Sequence, residues 1–290
     1  MPRVYLVHAN LWGRFWGLLW RAMVAFSDDN CFGIAKGAAY SCLLAFFPVL
    51  ASIAAILAQA NADSVSHVIS RFLFEVVPPG SEDLVRYVFI VKGQRPALLL
   101  VLAAVLAVLG ASGVMNSLME GFQAAYKLPG GRPFFRQQAV AILLVFMVTI
   151  PGLCASLLIL FGTHTEQTIT GLLHVLPDGA DLRWWVVALS RALRYGVACA
   201  TLVLVNGLLY YLGPNRPMRF KGVWPGAFLA TVLSLLTTSC FAWYARNIAN
   251  YNVLYGSVGA FIALLVWMYL LSAIAMLGCE FNAERERLSM

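Results

Sequence analysis

Six stretches of this chain contain no Asp, Glu, Lys or Arg: residues 37–62, 96–119, 139–162, 195–215, 222–245 and 247–279. An α-helix rises about 1.5 Å per residue, so about 20 apolar residues cross a hydrocarbon layer about 30 Å thick. Every one of the six is long enough. A soluble fold has no interior large enough to hide them, because 61% of the residues are hydrophobic and 11% charged, with a mean hydropathy of +0.80, where soluble chains carry about 25% charged residues. The runs are apolar on all sides and lack the alternation of barrel strands. They predict an all-α integral membrane protein with six transmembrane helices, at about 37–60, 97–119, 139–162, 190–213, 222–246 and 255–279.

Orientation follows from the 20 Lys and Arg. With the N-terminus inside, twelve of them fall in cytoplasmic segments (Arg3, Arg14, Arg21, Lys36, Lys127, Arg132, Arg136, Arg216, Arg219, Lys221, Arg285 and Arg287) and at most eight on the other side. The excess places both termini in the cytoplasm. The net charge of +7 is spread over several short loops, which fits this topology and argues against a nucleic-acid partner.

Residues 1–30 are expected to form an amphipathic helix on the cytoplasmic face, followed by a six-helix transmembrane domain at 31–290. Trp12, Phe15, Trp16, Leu19, Met23 and Phe26 recur at three- and four-residue steps, opposite Asn10, Arg14 and Arg21. The same stripe suits a helix lying on the lipid surface and one packed on the bundle. Arg14 and Arg21 break the apolar character, so a removable signal peptide is not expected. The segment 63–95 reads as short extracytoplasmic helices broken at Pro78, Pro79 and Gly80, and 163–183 as a smaller loop on the same side.

Polar groups at membrane depth are costly and mark candidate pathways. Arg191 and Arg194 share a helix face three residues apart, and Asn206 lies deeper in the same span. Two cations facing a cavity there would suit an anionic amphiphile; snorkelling to the outer surface is the competing reading. Asn206 also suits hydrogen bonding between helices, as do Ser234, Thr237, Thr238 and Ser239. Pro48 and Pro151 fall inside spans and are expected to kink them. Gly110, Gly113, Gly256 and Gly259 permit close helix contact and a homo-oligomer.

At the end of the last span Glu280 is unfavourable beside a helix C-terminus. It calls for a cationic partner, for which Lys36 is the candidate, or for a helix that continues past it; Asn282 stands next to it. Catalysis has less to offer. His8, His67, His164 and His174 are scattered, and Asp28 with Asp29 reads better as a helix cap than as a metal pair. The six Cys show no C-x-x-C spacing. No cofactor or metal site is expected.

Four stretches, "AAYSCLLAFFP" at 38–48, "ASGVMNSLMEGFQAAYKLPGGRPFFRQ" at 111–137, "LGPNRP" at 212–217 and "YGSVGAFIALLVWMYLLSAIAMLGCEFNAE" at 255–284, resemble the YihY / virulence factor BrkB family. The likeness covers nearly the whole chain, and "GCEFNA" matches the family's "GAELNA"-like ending. Ser41 and Cys42 after Tyr40 depart from the family's usual aromatic or Thr. The resemblance implies a six-helix inner-membrane protein with both termini in the cytoplasm. It also implies functional labels that diverge, from ribonuclease BN through serum resistance to export of lipid A precursors. Among these the residues favour a transporter or a lipid- and amphiphile-handling protein, with membrane lipids as partners, over a ribonuclease; a non-catalytic structural or assembly factor is the alternative.

Overall fold

The structure, a computed structural model, describes residues 11–59, 97–173, 179–247 and 257–289. The segment expected at 63–95 therefore lies outside the described residues, as do His8, His67, His174 and Gly256. Seven helices build the rest: α1 Leu11–Asp28, α2 Cys31–Gln59, α3 Ala97–Ala125, α4 Phe134–Leu173, α5 Gly179–Leu212, α6 Phe220–Asn247 and α7 Ser257–Ser289. Strands are absent among the described residues. The chain has the all-α architecture of an integral membrane protein. Helices α2 to α7 supply six segments long and apolar enough to cross a membrane, Cys31–Leu50, Val101–Ala125, Phe134–Ile159, Ala188–Leu212, Phe220–Tyr244 and Phe261–Ser289.

The six form a closed ring in chain order, each packing on the next and α7 returning to α2. Helix α7 also reaches across the ring to α3, and α1 rests on α7 and α2. The start of α2 and the end of α7 share one end of the ring with the 126–133 and 213–219 connections. We call this the terminal end. The main buried cluster sits there: Ala35 and Ala38 of α2, Met119 and Phe122 of α3, Leu144 of α4, Tyr210 of α5, Val223 and Ala227 of α6, and Met276 of α7. Towards the other end large apolar side chains such as Leu106, Ile150, Leu193 and Leu236 stay exposed, as suits helices whose solvent is hydrocarbon.

The apolar stripe of α1 is divided between two environments. Ala22 and Phe26 are buried, and the Phe15 ring lies 5.9 Å from that of Phe281. Trp16, Trp20 and Met23 point away and are more than half exposed. Packing on the bundle thus uses one flank of the helix only.

Small residues set how closely the helices approach. A Cβ on Gly110 would meet the Ala45 backbone at 2.9 Å, and one on Gly113 would lie 3.6 Å from Ser41, so the α2–α3 seam is built from small side chains. The tightest crossing joins α6 to α7. There a Cβ on Gly226 would stand 2.0 Å from the carbonyl oxygen of Gly278, and one on Gly278 would stand 2.4 Å from the Tyr210 hydroxyl and 2.7 Å from the Gly226 carbonyl oxygen. Backbone touches backbone.

Helix ends depart from the expected spans. Helix α2 begins at Cys31, α4 runs on to Leu173 through most of the expected 163–183 loop, and α7 continues past Glu280 to Ser289. Charged residues mark where hydrocarbon gives way to water, but the helical hydrogen-bond ladder is local and does not stop at that boundary. The turn between α1 and α2 is capped by Asn30, whose φ is 53° and whose carbonyl accepts from Gly33 and Ile34. Among the described residues no side-chain hydrogen bond makes Asp28 or Asp29 a cap of α2; the left-handed turn residue is Asn30, a type that visits that backbone region readily.

Gly226→Ala or Gly278→Ala is expected to lower stability by about 3 kcal/mol, since overpacking against backbone cannot be relieved by a rotamer change. Gly196→Ala, with nothing near its added Cβ, is expected to be neutral or to gain about 0.5 kcal/mol. Thermal unfolding in detergent distinguishes the two sites.

Candidate functional site

Several helices end at the terminal end, and each end leaves backbone groups without partners inside its own helix. The way these are satisfied organises the site. Helix α5 stops at "GP", and its last carbonyls are taken by Arg132 from the α3–α4 connection: Nη2 donates to Leu212 and Pro214 at 2.9 Å each, and Nη1 to Gly213 at 3.0 Å. Helix α3 ends in a left-handed Lys127, φ 52°, with Leu128 N–H returning to the Gln123 carbonyl at 3.1 Å. Arg287 Nη2 adds a bond to the Ala125 carbonyl at 2.7 Å. Cations at helix C-termini are favoured by the macrodipole as well. Burial and the nearby Arg136 lower the pKa of the Arg132 guanidinium.

Asn282 performs a similar service for α6. Its Oδ1 accepts from Gly226 N–H at 2.8 Å and its Nδ2 donates to the Val223 carbonyl at 2.9 Å. Pro225 lies between these two positions inside α6 and has no N–H of its own. Tyr210, fully buried, donates to the Ala275 carbonyl at 2.7 Å and locks α5 to α7 just above. Arg216 stacks on the Tyr126 ring 4.0 Å from its centroid and pairs with Glu286. Burial, aided by Cys279, raises the Tyr126 phenol, with Arg216 acting in the opposite sense.

The expected Lys36–Glu280 pair is not formed. Glu280 is fully buried and turned to the α1–α2 turn, where the Cys31 thiol lies 3.9 Å from Oε1. Lys36 is exposed five residues along α2 from Cys31, on a different side of that helix. Instead Lys127 meets Asp29 at 3.8 Å, and Arg21 and Arg287 both meet Glu284. Glu280 and Asn282, two apart, face opposite neighbours, as the helical period requires. The continuation of α7 removes Glu280 from the unfavourable helix end.

Arg191 and Arg194 also separate. Arg191 is exposed, whereas Arg194 is 6% exposed and extends Nη1 to the Ile159 carbonyl of α4 at 3.5 Å. Asn206 Nδ2 bridges to Thr231 Oγ1 of α6 at 3.1 Å and to its own helix at Leu202. A polar row that sequence reasoning missed joins α3 to α4: Asn116 Nδ2 donates to Gln138 Oε1 at 2.9 Å, and Gln138 Nε2 to Ser112 Oγ at 2.7 Å. Pro48 and Pro151 lie inside α2 and α4. Among the described residues no three of His, Cys, Asp and Glu gather as metal ligands.

Two cavities flank the 213–219 connection. One, of about 380 Å³, is lined by Arg132, Arg136 and Arg216, and the other, of about 560 Å³, by Arg219, Lys221, Arg285, Tyr126, Asn282 and Glu286. From sequence Arg132 and Arg287 stand out only by their charge; the Gly-Pro stop at Gly213 is the sign that a donor is needed there.

A basic, heavily capped helix-end cluster beneath a closed ring of six apolar helices defines a multi-pass membrane protein. The sequence profile of the family described as Virulence factor BrkB matches residues 22–289, and the chain belongs to that family. It is 30% identical over 248 residues to a Bacillus subtilis protein named as ribonuclease-like, YfkH, covering 84% of this chain and 86% of that one. It is 27% identical over 262 residues to a UPF0761 membrane protein of Pseudoalteromonas translucida, covering 88% and 81%. A UPF0761 membrane protein of Rhodospirillum rubrum is 28% identical over 292 residues, 98% of this chain and 60% of that protein. No solved structure matches.

Lysine in place of Arg132 keeps the charge but loses the fork that reaches three carbonyls. Arg132→Lys is expected to cost about 2 kcal/mol, the order of one charge-assisted hydrogen bond, and to speed tryptic cleavage after Arg219. Unfolding temperature and cleavage rate in detergent are the measurements.

Proposed function

We propose that this chain is a non-enzymatic handler of anionic amphiphiles, a transporter in the bacterial inner membrane with its terminal end towards the cytoplasm. The observation that carries this reading is Arg194. Among the described residues the buried charged side chains are Arg194, Glu280 and Glu284, and both carboxylates belong to the last turns of α7 at the terminal end. Arg194 lies towards the opposite end, inside the apolar window Ala188–Leu212. A cation at that depth is costly and marks a candidate pathway for an anion, whereas an ion-coupled pump typically relies on mid-span acids. Other deep polar groups, such as Ser112, Asn116, Gln138, Asn206 and Thr231, are amides and hydroxyls engaged with one another. The cytoplasmic orientation is supported by the Lys and Arg gathered around the terminal end.

Movement of labelled anionic lipid or organic anion in reconstituted vesicles tests the reading. Arg194→Gln is expected to slow it by about tenfold, the order of one charge-assisted contact, with Arg191→Gln changing it less. Absence of movement under any gradient would favour a structural or assembly role.

The name of the Bacillus subtilis relative raises ribonuclease activity. Metal-dependent phosphodiester cleavage needs ligands clustered around a polarised water. Asp29 is engaged by Lys127 instead. The purified chain is expected to leave tRNA precursors intact; cleavage that disappears in Asp28→Ala or Asp29→Ala would establish an enzyme.

A further inference from the structure

The larger of the two cavities at the terminal end has an unbalanced lining. It contains the cations Arg219, Lys221 and Arg285 and a single carboxylate, Glu286. That carboxylate is already held by Arg216, which lies outside the lining and is stacked on Tyr126. Among the described residues no carboxylate lies within ion-pair distance of Arg219, Lys221 or Arg285. The contrast with the neighbouring cavity beneath α1 is instructive: there Arg21, Lys127 and Arg287 are met by Asp29 and Glu284. At this end Arg21, Lys127, Arg132, Arg216 and Arg287 find carboxylates or helix carbonyls. Arg219, Lys221 and Arg285 do not, and all three line one cavity.

We propose that this cavity binds a phosphate group. Two guanidinium forks and one ammonium offer more donors than a single carboxylate accepts, and they suit a tetrahedral oxyanion with several acceptor oxygens. The cavity of about 560 Å³ falls within the range of about 300–1,000 Å³ typical of small-ligand sites, so there is room for a polar group attached to the phosphate. The floor is rigid, because Asn282 is bonded to the α6 backbone at Gly226 and Val223. Phe220, between Arg219 and Lys221 in sequence, is exposed and stacks edge-on against Tyr211 and Trp224, 5.6 and 5.2 Å away. An aromatic edge beside a cationic cavity admits the phosphate of a lipid head group as readily as a free one. The assignment does not depend on transport, since binding here requires no passage through the ring.

The test uses the full chain purified in detergent and in vesicles. Native mass spectrometry measures retention of phosphatidylglycerol against phosphatidylcholine, and inorganic phosphate is added as competitor. The wild type is expected to prefer the anionic lipid by about tenfold or more, the order of one or two charge-assisted contacts. Arg219→Gln, Lys221→Gln and Arg285→Gln combined are expected to abolish the preference at an unchanged unfolding temperature. A control removing Arg14, Lys36 and Arg136 should retain it. Displacement by inorganic phosphate would mean that the site takes phosphate from either source; lipid preference without displacement would mean that it reads the head group in place. Equal preference in wild type and triple variant, no preference in the wild type, or equal loss in the control would overturn the proposal. Should the triple variant unfold, Lys221→Gln alone, on an exposed side chain, is expected to weaken the preference several-fold. These outcomes are independent of the vesicle transport assay, so failure of one leaves the other standing.

Discussion

A peptide group in hydrocarbon has no water to bond to, and this constraint governs the whole molecule. Within a helix the ladder satisfies every interior N–H and C=O, so the six apolar runs have only one local structure available. At helix ends the constraint reappears, because the last carbonyls have no partner in their own helix. Arg132 and Arg287 take them up for α5 and α3, each from a distant part of the sequence. Among the described residues, most of the polar bonds between helices accordingly fall at the terminal end.

Close packing and polar closure reinforce each other there. The Gly226–Gly278 contact lets α6 and α7 approach until backbone touches backbone, and that approach brings Asn282 within reach of the α6 backbone. Without the glycines the amide would be too far away; without the amide, the irregularity at Pro225 would leave polar groups exposed to an apolar interior. Tyr210 and Phe122, whose rings meet edge-on at 5.4 Å, fill the space between α3, α5 and α7. The opposite half of the bundle, among the described residues, relies more on lipid-compatible surfaces and less on buried contacts.

Charge is unevenly distributed over this framework. Carboxylates at the terminal end are drawn into specific pairs, Asp29 with Lys127, Glu284 with Arg21 and Arg287, and Glu286 with Arg216. Exposed pairs of this kind contribute little stability individually. Their consequence is selective: they neutralise the cavity beneath α1 and leave the one between α6 and α7 positive. Arg194, buried towards the far end, reaches the Ile159 carbonyl of α4. The proposed anion-handling role draws on this distribution.

The sequence by itself determined the class of structure and the number of spans, because hydrophobicity and charge act residue by residue and a helix in lipid satisfies its backbone locally. It also marked Arg194, Asn206, Glu280 and Asn282 as residues needing explanation. Helix ends are not legible from charge, because the ladder disregards the solvent boundary, so α4 and α7 run on into polar sequence. Only the tertiary structure decided the partners. Arg132 with the end of α5, Asn282 with α6, and Glu280 with Cys31 rather than Lys36 are contacts across long separations in the chain, set by which helices adjoin in the ring and how closely their glycines let them come.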